Sequence, residues 1–416
     1  MSKSIDGFGG GVDRRAVLVG GSAAAVTLVA GCAAARPVTR DPFLETIITI
    51  DTHAHPGSFW RKSGDVRGAL ERIKAGQLSA FTYSVPTDGP ILTRDSATRR
   101  IVTERAPEPG ELYRYARQNI TDGLAKMADA GIPVAETLAD IVDAKKAGTP
   151  AGILALEGGG FAADRLEAIE EMHGLGVRIV QPIHYNNYSP FGDIQGRSEL
   201  GGLTADGRQF VQEMRRLGIV LDVAHMTMQG VSKAADAYAG PVILSHVFYL
   251  EMGMNTTTPR VALPDHAKIV ADTGGLLGVW NLAPRRWVEY LGYTSRKDMF
   301  IGTFKMLADR YGVDHVCLGT DIGSTTGWFN TYDQLADLAK ELRNAGFNDG
   351  EIAKMLGGNV LKLFGDITRK TASAIDRKSK TAGRSQLGDE EDQQRNDRGG
   401  PRRAAREADY LMSRIS

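Results

Sequence analysis

Cysteine is nearly absent from this 416-residue chain, which contains only Cys32 and Cys317. Cys317 lies in the apolar run "HVCLGT" and is expected to be buried as a small hydrophobic residue. Net charge is absent as well, because 50 basic residues balance 50 acidic ones, so no overall field favours a nucleic acid as partner. The chain also lacks a P-loop and a G-x-G-x-x-G motif after a strand, which disfavours the nucleotide-binding doubly wound folds.

The segment "DRRAVLVGGSAAAVTLVAGC" has the features of an export signal. Arg14 and Arg15 precede an apolar run that is too short and too rich in Gly and Ala for a good membrane span, and this pair indicates the twin-arginine route. We interpret residues 1–31 as the signal peptide and 32–40 as a linker. The end of the run, "LVAGC", resembles a lipobox, which predicts that Cys32 carries a lipid anchor on the periplasmic or cell-surface side. The alternative is a plain signal peptide with an incidental cysteine.

After the export signal, the chain divides into a long central part and a C-terminal tail of different composition. Residues 367–416 are charged and have few large apolar side chains to bury, which predicts a disordered or loosely helical tail of no assigned function. Residues 41–366 alternate short β-branched or apolar runs with longer segments of helical periodicity, such as those that begin at Thr204 and Ser295. Eight strand-like runs predict a (β/α)8 barrel, with an open doubly wound sheet as the alternative. The runs are "TIITIDTHA", "LSAFTYSV", "AGILALEG", "VRIVQPI", "GIVLDVAH", "PVILSHV", "GGLLGVW" and "HVCLGT".

Polar residues close most of these runs. In a barrel, the groups at the carboxyl ends of the strands face one mouth, where reactions take place. His53 and His55 are two residues apart on one strand and therefore share a face. The strand-end positions hold five of the eight histidines together with two acids: His53, His55, Glu157, His184, His225, His246 and Asp321.

Each of these residues also has a structural explanation. A lone strand-end histidine is often only hydrogen-bonded, and a strand-end acid commonly caps the next helix. Recurrence at six strand ends favours a metal site instead, because imidazole and carboxylate ligands suit zinc or a similar ion. The ligands outnumber the three that one catalytic zinc needs, so we expect two divalent ions, zinc being the expected identity, with Glu157 between them.

In this order, the residues resemble the renal (membrane) dipeptidase family, a zinc-dependent branch of the amidohydrolase-like barrels. The resemblance covers about residues 47–366 and is most specific from Gly174 to Val279. It rests on "IDTHAHP", "ILALEGG", "LGVRIVQPIHYNNYSPFG", "GLTADGRQFVQEMRRLGIVLDVAHM", "PVILSHV", "PRVALPDHAKIVADTGGLLGV", "DHVCLGTDIG" and "GGNVLKLF".

The resemblance implies a set of metal ligands. His53 and His55 would hold the first ion, His225 and His246 the second, and Glu157 would bridge both. A hydroxide between the two ions would then attack the amide carbonyl.

The resemblance also implies three residues that act on the substrate. His184 would contact the scissile carbonyl, Arg260 would bind the free carboxylate, and Asp321 would be the general acid and base. Without the resemblance, Arg260 in "TTTPRVALPDH" reads as a surface arginine between a loop and a helix.

Three departures from the family pattern stand close to these residues. The family usually has H-x-D where this chain has His55, so the first metal site has one negative charge fewer. Val247 and Phe248 follow "PVILSH" where a hydroxyl residue is usual, and "DIGS" from Asp321 replaces the usual D-F-D-G. The last two changes lie on the substrate side, where they could alter specificity.

The sequence therefore predicts a metallo-dipeptidase that acts on small substrates with a free C-terminus. Another amidohydrolase that cleaves a lactone or other small amide remains open, and so does an exported metal-binding protein without turnover. Asp321 argues against a pure binder, which needs no proton shuttle. Expected partners are a dipeptide-like substrate and the membrane through the lipid anchor, with no nucleic acid, and a homodimer is a possible assembly.

Overall fold

Nine of the described strands form one curled sheet, which closes into a barrel. The computed structural model describes residues 40–56, 66–98, 100–250, 260–325 and 327–368. The export signal with Arg14, Arg15 and Cys32 lies outside these residues, and so does the tail after residue 368. Among the helices that are described, none has both the length and the apolar character needed to cross a membrane.

Within the described residues, eight parallel strands make the ring, in the order β1, β2, β5, β6, β7, β8, β10 and β11. A parallel bridge between Asp222 and Ile243 joins β7 to β8 and closes it, and β9 adds to the outer part of β8. The strands are β1 (Ile50–Asp51), β2 (Ala80–Pro86), β3 (Leu92–Arg94), β4 (Ile101–Thr103), β5 (Ala151–Glu157), β6 (Val177–Gln181), β7 (Val220–Leu221), β8 (Ile243–Tyr249), β9 (Val261–Ala262), β10 (Leu276–Val279) and β11 (Val316–Leu318). The predicted (β/α)8 barrel is confirmed.

Helices surround the ring and follow most of its strands. They are α1 (Pro42–Thr46), α2 (Val66–Ala75), α3 (Glu111–Asp129), α4 (Leu138–Lys146), α5 (Ala168–Gly174), α6 (Ala205–Leu217), α7 (Met228–Tyr238), α8 (Pro264–Asp272), α9 (Arg285–Tyr290), α10 (Arg296–Tyr311), α11 (Leu335–Asn344) and α12 (Asp349–Ala353). A π-helical turn, Lys354–Gly358, leads from α12 into a helix that runs to residue 368.

Local sequence explains where two of these helices begin. The Thr204 side chain accepts a hydrogen bond from the backbone N–H of Gly207 at 3.0 Å, so α6 starts at the expected N-cap. Ser295 caps α10 in the same way, with Oγ 3.0 Å from the backbone nitrogen of Asp298.

Barrel strands are buried on both faces, which is why they read as continuous apolar runs instead of alternating ones. Cys317 in β11 is fully buried, as expected. Outside the barrel, β3 and β4 form an antiparallel hairpin that the sequence did not predict, because its strands are only three residues long within the polar segment 85–109.

Candidate metal centre

The polar strand-end residues do meet at one mouth of the barrel. Glu157 is the last residue of β5, and the others follow their strands by two to four residues, except for His246. His246 lies within β8, which continues to Tyr249 because its outer residues pair with β9. All seven are buried: His53, His55, Glu157, His184, His225, His246 and Asp321.

The carboxylate of Glu157 lies among five imidazole rings. Its Oε1 is 3.4 Å from Nε2 of His53, 3.0 Å from Nε2 of His225 and 3.5 Å from Nε2 of His246. Its Oε2 is 3.5 Å from Nε2 of His55 and 3.4 Å from Nε2 of His184. Two sets of potential ligands share this carboxylate, and within each set the ligand atoms lie within 4.8 Å of one another: His53, His55 and Glu157; Glu157, His225 and His246.

The outer nitrogens of three of these rings are occupied, which turns Nε2 of each ring inward. Nδ1 of His55 lies 3.1 Å from the carbonyl oxygen of Ser84, and Nδ1 of His53 lies 3.3 Å from the Ser84 hydroxyl. Nδ1 of His246 lies 2.7 Å from the hydroxyl of Ser245. Such outer contacts are the usual way in which metal-binding histidines are oriented.

Burial lowers the pKa of His53, His225 and His246 well below the usual histidine value, and neighbouring cationic groups add to the effect. Imidazole binds a metal ion in its neutral form, so these rings are in the state that coordination requires. Buried neutral nitrogens facing a shared carboxylate are the donor set of a zinc-type site, and the residues fit a metal centre.

A third possible ligand set includes Asp222, which the sequence analysis did not single out. Its carboxylate accepts hydrogen bonds from the backbone nitrogens of Ala224 and Ser245 at 3.1 and 3.2 Å and from the Gln181 side chain at 2.7 Å. The same Gln181 amide lies 3.3 Å from Nδ1 of His53. Asp222 is therefore connected to His53 through the Gln181 amide, which it helps to hold in place.

Asp321 lies beside the metal ligands and has partners on both oxygens. Oδ1 is 3.2 Å from Nε2 of His55 and accepts a hydrogen bond from the Ser324 hydroxyl, and Oδ2 accepts one from the indole N–H of Trp280 at 3.0 Å. Burial would raise the pKa of Asp321, but the hydrogen bond and charge of His55 hold it below its usual value. Asp321 is thus held as a charged carboxylate beside the candidate metal ligands.

His184 is paired with Asp88, a residue missed in the sequence. Nδ1 of His184 lies 2.6 Å from Oδ1 of Asp88, whose other oxygen accepts a hydrogen bond from the backbone N–H of Tyr185 at 2.9 Å. Burial opposes protonation, yet the charges of Asp88 and Glu157 raise the pKa of His184. Like the other site residues, Asp88 closely follows a strand, since it stands two residues after the end of β2. The sequence analysis missed it because it lies in the polar segment 85–109, which has no regular periodicity.

Arg260 reaches the centre from the start of β9. Its Nη1 contacts both ring nitrogens of His225, at 2.6 Å for Nδ1, and its Nη2 donates to the carbonyl of His246 at 2.9 Å. The guanidinium also lies over the Trp280 ring, 4.7 Å from its centre. Among the described residues nothing bonds its buried Nε, so this cation has donor capacity to spare.

Three site residues adopt left-handed backbone conformations that side chains other than glycine rarely take. The φ angles are 68° at His225, 74° at Arg260 and 58° at Asp321. Such conformations cost about 1–3 kcal/mol each and cluster at functional sites. The surrounding barrel holds these three side chains in place against that cost.

A cavity of about 370 Å³ opens over the centre. Its floor is the cluster around Glu157, and its wall is aromatic and basic, with residues that the sequence analysis did not assign. These are Arg94, Arg100, Tyr185, Phe248, Trp280, Arg286 and Trp287. Phe248 lies within β8 and is one of the departures from the family pattern noted in the sequence. No signal in the sequence marked the others, which come from the β3–β4 hairpin, from the loop after β6, and from the loop and helix after β10.

A barrel that gathers buried imidazoles and carboxylates at the carboxyl ends of its strands defines a metal-dependent hydrolase of the barrel type. Residues 41–378 match the family described as membrane dipeptidase (peptidase family M19), and the chain belongs to that family. The resemblance stated from the sequence is confirmed.

Characterised relatives are distant and align over part of their length. The chain is 25% identical over 239 residues to dipeptidase verJ of Clonostachys rogersoniana, an alignment that spans 56% of this chain and 60% of that protein. It is 22% identical over 318 residues to dipeptidase tcpJ of Claviceps purpurea, spanning 73% of this chain and 70% of the relative.

Solved structures share the fold. The probable dipeptidase PvdM from Pseudomonas aeruginosa superposes with a TM-score of 0.63 at 18% identity, over 79% of this chain and 97% of that one. A metallo peptidase from Rhodobacter sphaeroides, liganded with a phosphinate mimic of the dipeptide L-Ala-D-Ala, superposes with a TM-score of 0.62 at 21% identity. The superposition covers 77% of this chain and 99% of that one.

Proposed function

We propose that this member of a metallo-dipeptidase family hydrolyses the amide bond of dipeptides with two divalent ions, which we take to be zinc. The observation that carries the proposal is the position of Glu157, whose carboxylate belongs to two separate histidine sets. One ion would be held by His53, His55 and Glu157, and the other by Glu157, His225 and His246. Bound ions of this kind supply Lewis acidity and lower the pKa of water to near ~7.

The neighbouring residues would manage the proton and the substrate. Asp321 would accept a proton from the attacking water and return it to the leaving amine, with Trp280 keeping Oδ2 in position. His184, held by Asp88, would donate a hydrogen bond to the oxygen on which negative charge develops. Arg260 would bind the free carboxylate of the substrate through its spare donors.

A second candidate is hydrolysis of another small amide or a lactone. It is favoured by one observation, that Phe248 lines the cavity at a position near which the family usually has a hydroxyl residue. A change on the substrate side of the site could shift specificity without altering the metal centre.

The test is hydrolysis by metal-free protein reconstituted with zinc. A panel of dipeptides, N-acyl amino acids and lactones would be compared at equal concentration. We expect dipeptides with a free C-terminus to give the highest kcat/KM. Turnover of lactones or acyl amides alone would favour the second candidate. Full metal loading without turnover of any substrate would favour the metal-binding protein.

The proposal extends to location. We propose export by the twin-arginine route and a lipid anchor at Cys32, supported by the sequence "DRRAVLVGG" and by "LVAGC". Replacing Arg14 and Arg15 by lysine should retain precursor inside the cell, and Cys32→Ser should release the protein from membranes. Unchanged export in the first variant, or membrane retention in the second, would contradict this.

A homodimer is also proposed, to be tested by light scattering.

A further inference from the structure

The rim of the cavity carries three arginines that the proposed function does not use, which we call the arginine rim: Arg94, Arg100 and Arg286. We propose that the arginine rim selects acidic dipeptides, in which an Asp or Glu side chain adds a second carboxylate to the C-terminal one. The inference rests on the proposed function and names the substrate class of that same site.

Charge in the cavity is unbalanced toward the positive. Four arginines line it, the three of the rim and Arg260, whereas the described lining holds only two acids, Glu157 and Asp321. Both acids lie on the floor and are engaged with histidines. His55 stands where the family usually has a carboxylate, which removes one more negative charge. Even without metal ions, the field in the cavity therefore favours an anionic substrate.

Arg286 is placed to contact a bound molecule. It follows Pro284 at the start of α9 and its side chain lines the cavity. Within the described residues the guanidinium of Arg286 has no hydrogen bond or ion pair, whereas its neighbour Arg285, which does not line the cavity, donates to Glu289 at 2.7 Å. A guanidinium that has no partner in the described part of the chain and lines a cavity can form charge-assisted bonds with a ligand.

A row of aromatic side chains leads from Trp287 to Arg260 along the cavity. Trp287 stacks on Phe248 with ring centres 5.3 Å apart, Phe248 lies 4.8 Å from Trp280, and Trp280 lies under Arg260. Arg286 and Arg260 line the same cavity as this aromatic surface. A cavity that combines several guanidinium groups with an apolar surface suits a substrate that carries more than one carboxylate.

The hairpin brings further positive charge to another part of the rim. Arg94 ends β3 and Arg100 precedes β4, and both line the cavity. The hairpin is fixed to the loop of His184, because the Thr103 hydroxyl donates to the carbonyl of Tyr185 at 2.6 Å. In the described residues the guanidinium of Arg100 has no hydrogen bond or ion pair. Arg100 and Arg286 are therefore the two residues to change.

The experiment compares charged substrates with neutral ones of the same shape. Zinc-loaded full chain is assayed with Ala-Glu and Ala-Gln and with Glu-Ala and Gln-Ala, each with the second residue in L and D form. We expect kcat/KM for the acidic member of at least one pair to exceed that of its amide by roughly 10-fold, and the excess to shrink as salt rises. In the double variant R100Q/R286Q the acid-to-amide ratio should fall toward one.

Arg285→Gln is the matched control, since it removes an arginine of the same helix that does not line the cavity and that pairs with Glu289; its ratio should equal that of the parent. Thermal unfolding and zinc content establish that each variant is folded. A ratio near one in the parent, or an unchanged ratio in R100Q/R286Q, would overturn the selection of acidic dipeptides while leaving dipeptide hydrolysis intact. Failure to hydrolyse any of these dipeptides would overturn the proposed function and this inference together.

Discussion

Glu157 and Asp321 are both buried carboxylates at the same mouth, yet their pKa values shift in opposite directions. Burial dominates at Glu157 and raises its pKa, because the histidines around it only partly offset the loss of water. At Asp321, the hydrogen bonds from His55 and Ser324 outweigh burial and the pKa falls. The two carboxylates therefore lie in different environments: water is replaced mainly by imidazole rings around Glu157, whereas hydrogen-bond donors hold Asp321 in its charged form.

The proton transfer that we propose for Asp321 predicts a specific loss of activity. Asp321→Asn keeps the size of the side chain but replaces one accepting oxygen by an NH2 group and removes the basicity, so kcat should fall by roughly 10²-fold or more. Zinc content should stay close to that of the parent, because Asp321 belongs to none of the three possible ligand sets. The measurements are steady-state kinetics and elemental analysis, with Asp309→Asn on the exposed face of α10 as the control. Loss of zinc together with activity would assign Asp321 to metal binding instead.

For Arg260, the prediction concerns binding. Arg260→Ala should reduce kcat/KM for a dipeptide with a free C-terminus and should have a smaller effect on its C-terminal amide, which lacks the carboxylate partner. Comparing both substrates on both proteins gives the coupling directly. Equal losses on the two substrates would mean that Arg260 does not contact the carboxylate and would weaken the case for dipeptides.

At the scale of elements, the barrel strands approach each other closely where glycine allows it. A Cβ at Gly278 in β10 would lie 1.9 Å from the carbonyl oxygen of Ser245 in β8, and a Cβ at Gly319 would lie 1.8 Å from the same atom. These glycines let three neighbouring strands pack around the segment that carries His246. Strand pairing and ligand position are therefore linked.

Gly278→Ala should destabilise the protein by at least the ~1–3 kcal/mol typical of overpacking, because backbone atoms cannot move aside as side chains do. Gly174→Ala is the matched control, since no atom lies within 4 Å of the added Cβ and the site is exposed at the end of α5. Urea unfolding of the zinc-free proteins would measure both. Equal stability of the two variants would show that β10 can shift without cost.

Across the whole molecule, the candidate metal ligands bring together strands that are far apart in the chain. His53 follows β1 and His246 lies in β8, and two strands of the barrel, β11 and β10, stand between them. Their imidazole rings nevertheless stack with centres 4.0 Å apart. A metal ion bound only by the folded barrel stabilises it by an amount that grows with metal concentration, about 2.7 kcal/mol at 100 times Kd.

Zinc removal should consequently lower the unfolding temperature by several degrees, and reconstitution should restore it with close to two ions per chain. Glu157→Ala should reduce both the zinc content and the zinc-dependent stabilisation, since it removes the ligand shared by both sets. Calorimetry with elemental analysis measures both quantities, and Glu170→Ala on the surface is the control. One ion per chain in the parent would exclude the two-metal form.

The sequence by itself determined the barrel and the residues that approach its centre. An apolar run that ends in a polar residue indicates both a barrel strand and a site residue, because the buried strand and the polar group at its end are adjacent in the chain. Such runs end in His53, His55, Glu157, His225 and Asp321. Helix starts at Thr204 and Ser295 are equally local. Contacts within a few residues are visible in a sequence.

Only the tertiary structure decided which residues complete the site. Asp88 meets His184 across 96 positions, Trp280 meets Asp321 across 41, and Arg286 reaches the cavity through packing of α9. The left-handed backbone at Arg260 likewise depends on its surroundings. Such pairs are set by how the strands close into a ring and how the loops fold over its mouth. That closure depends on contacts between distant segments, and no local pattern of residues encodes them.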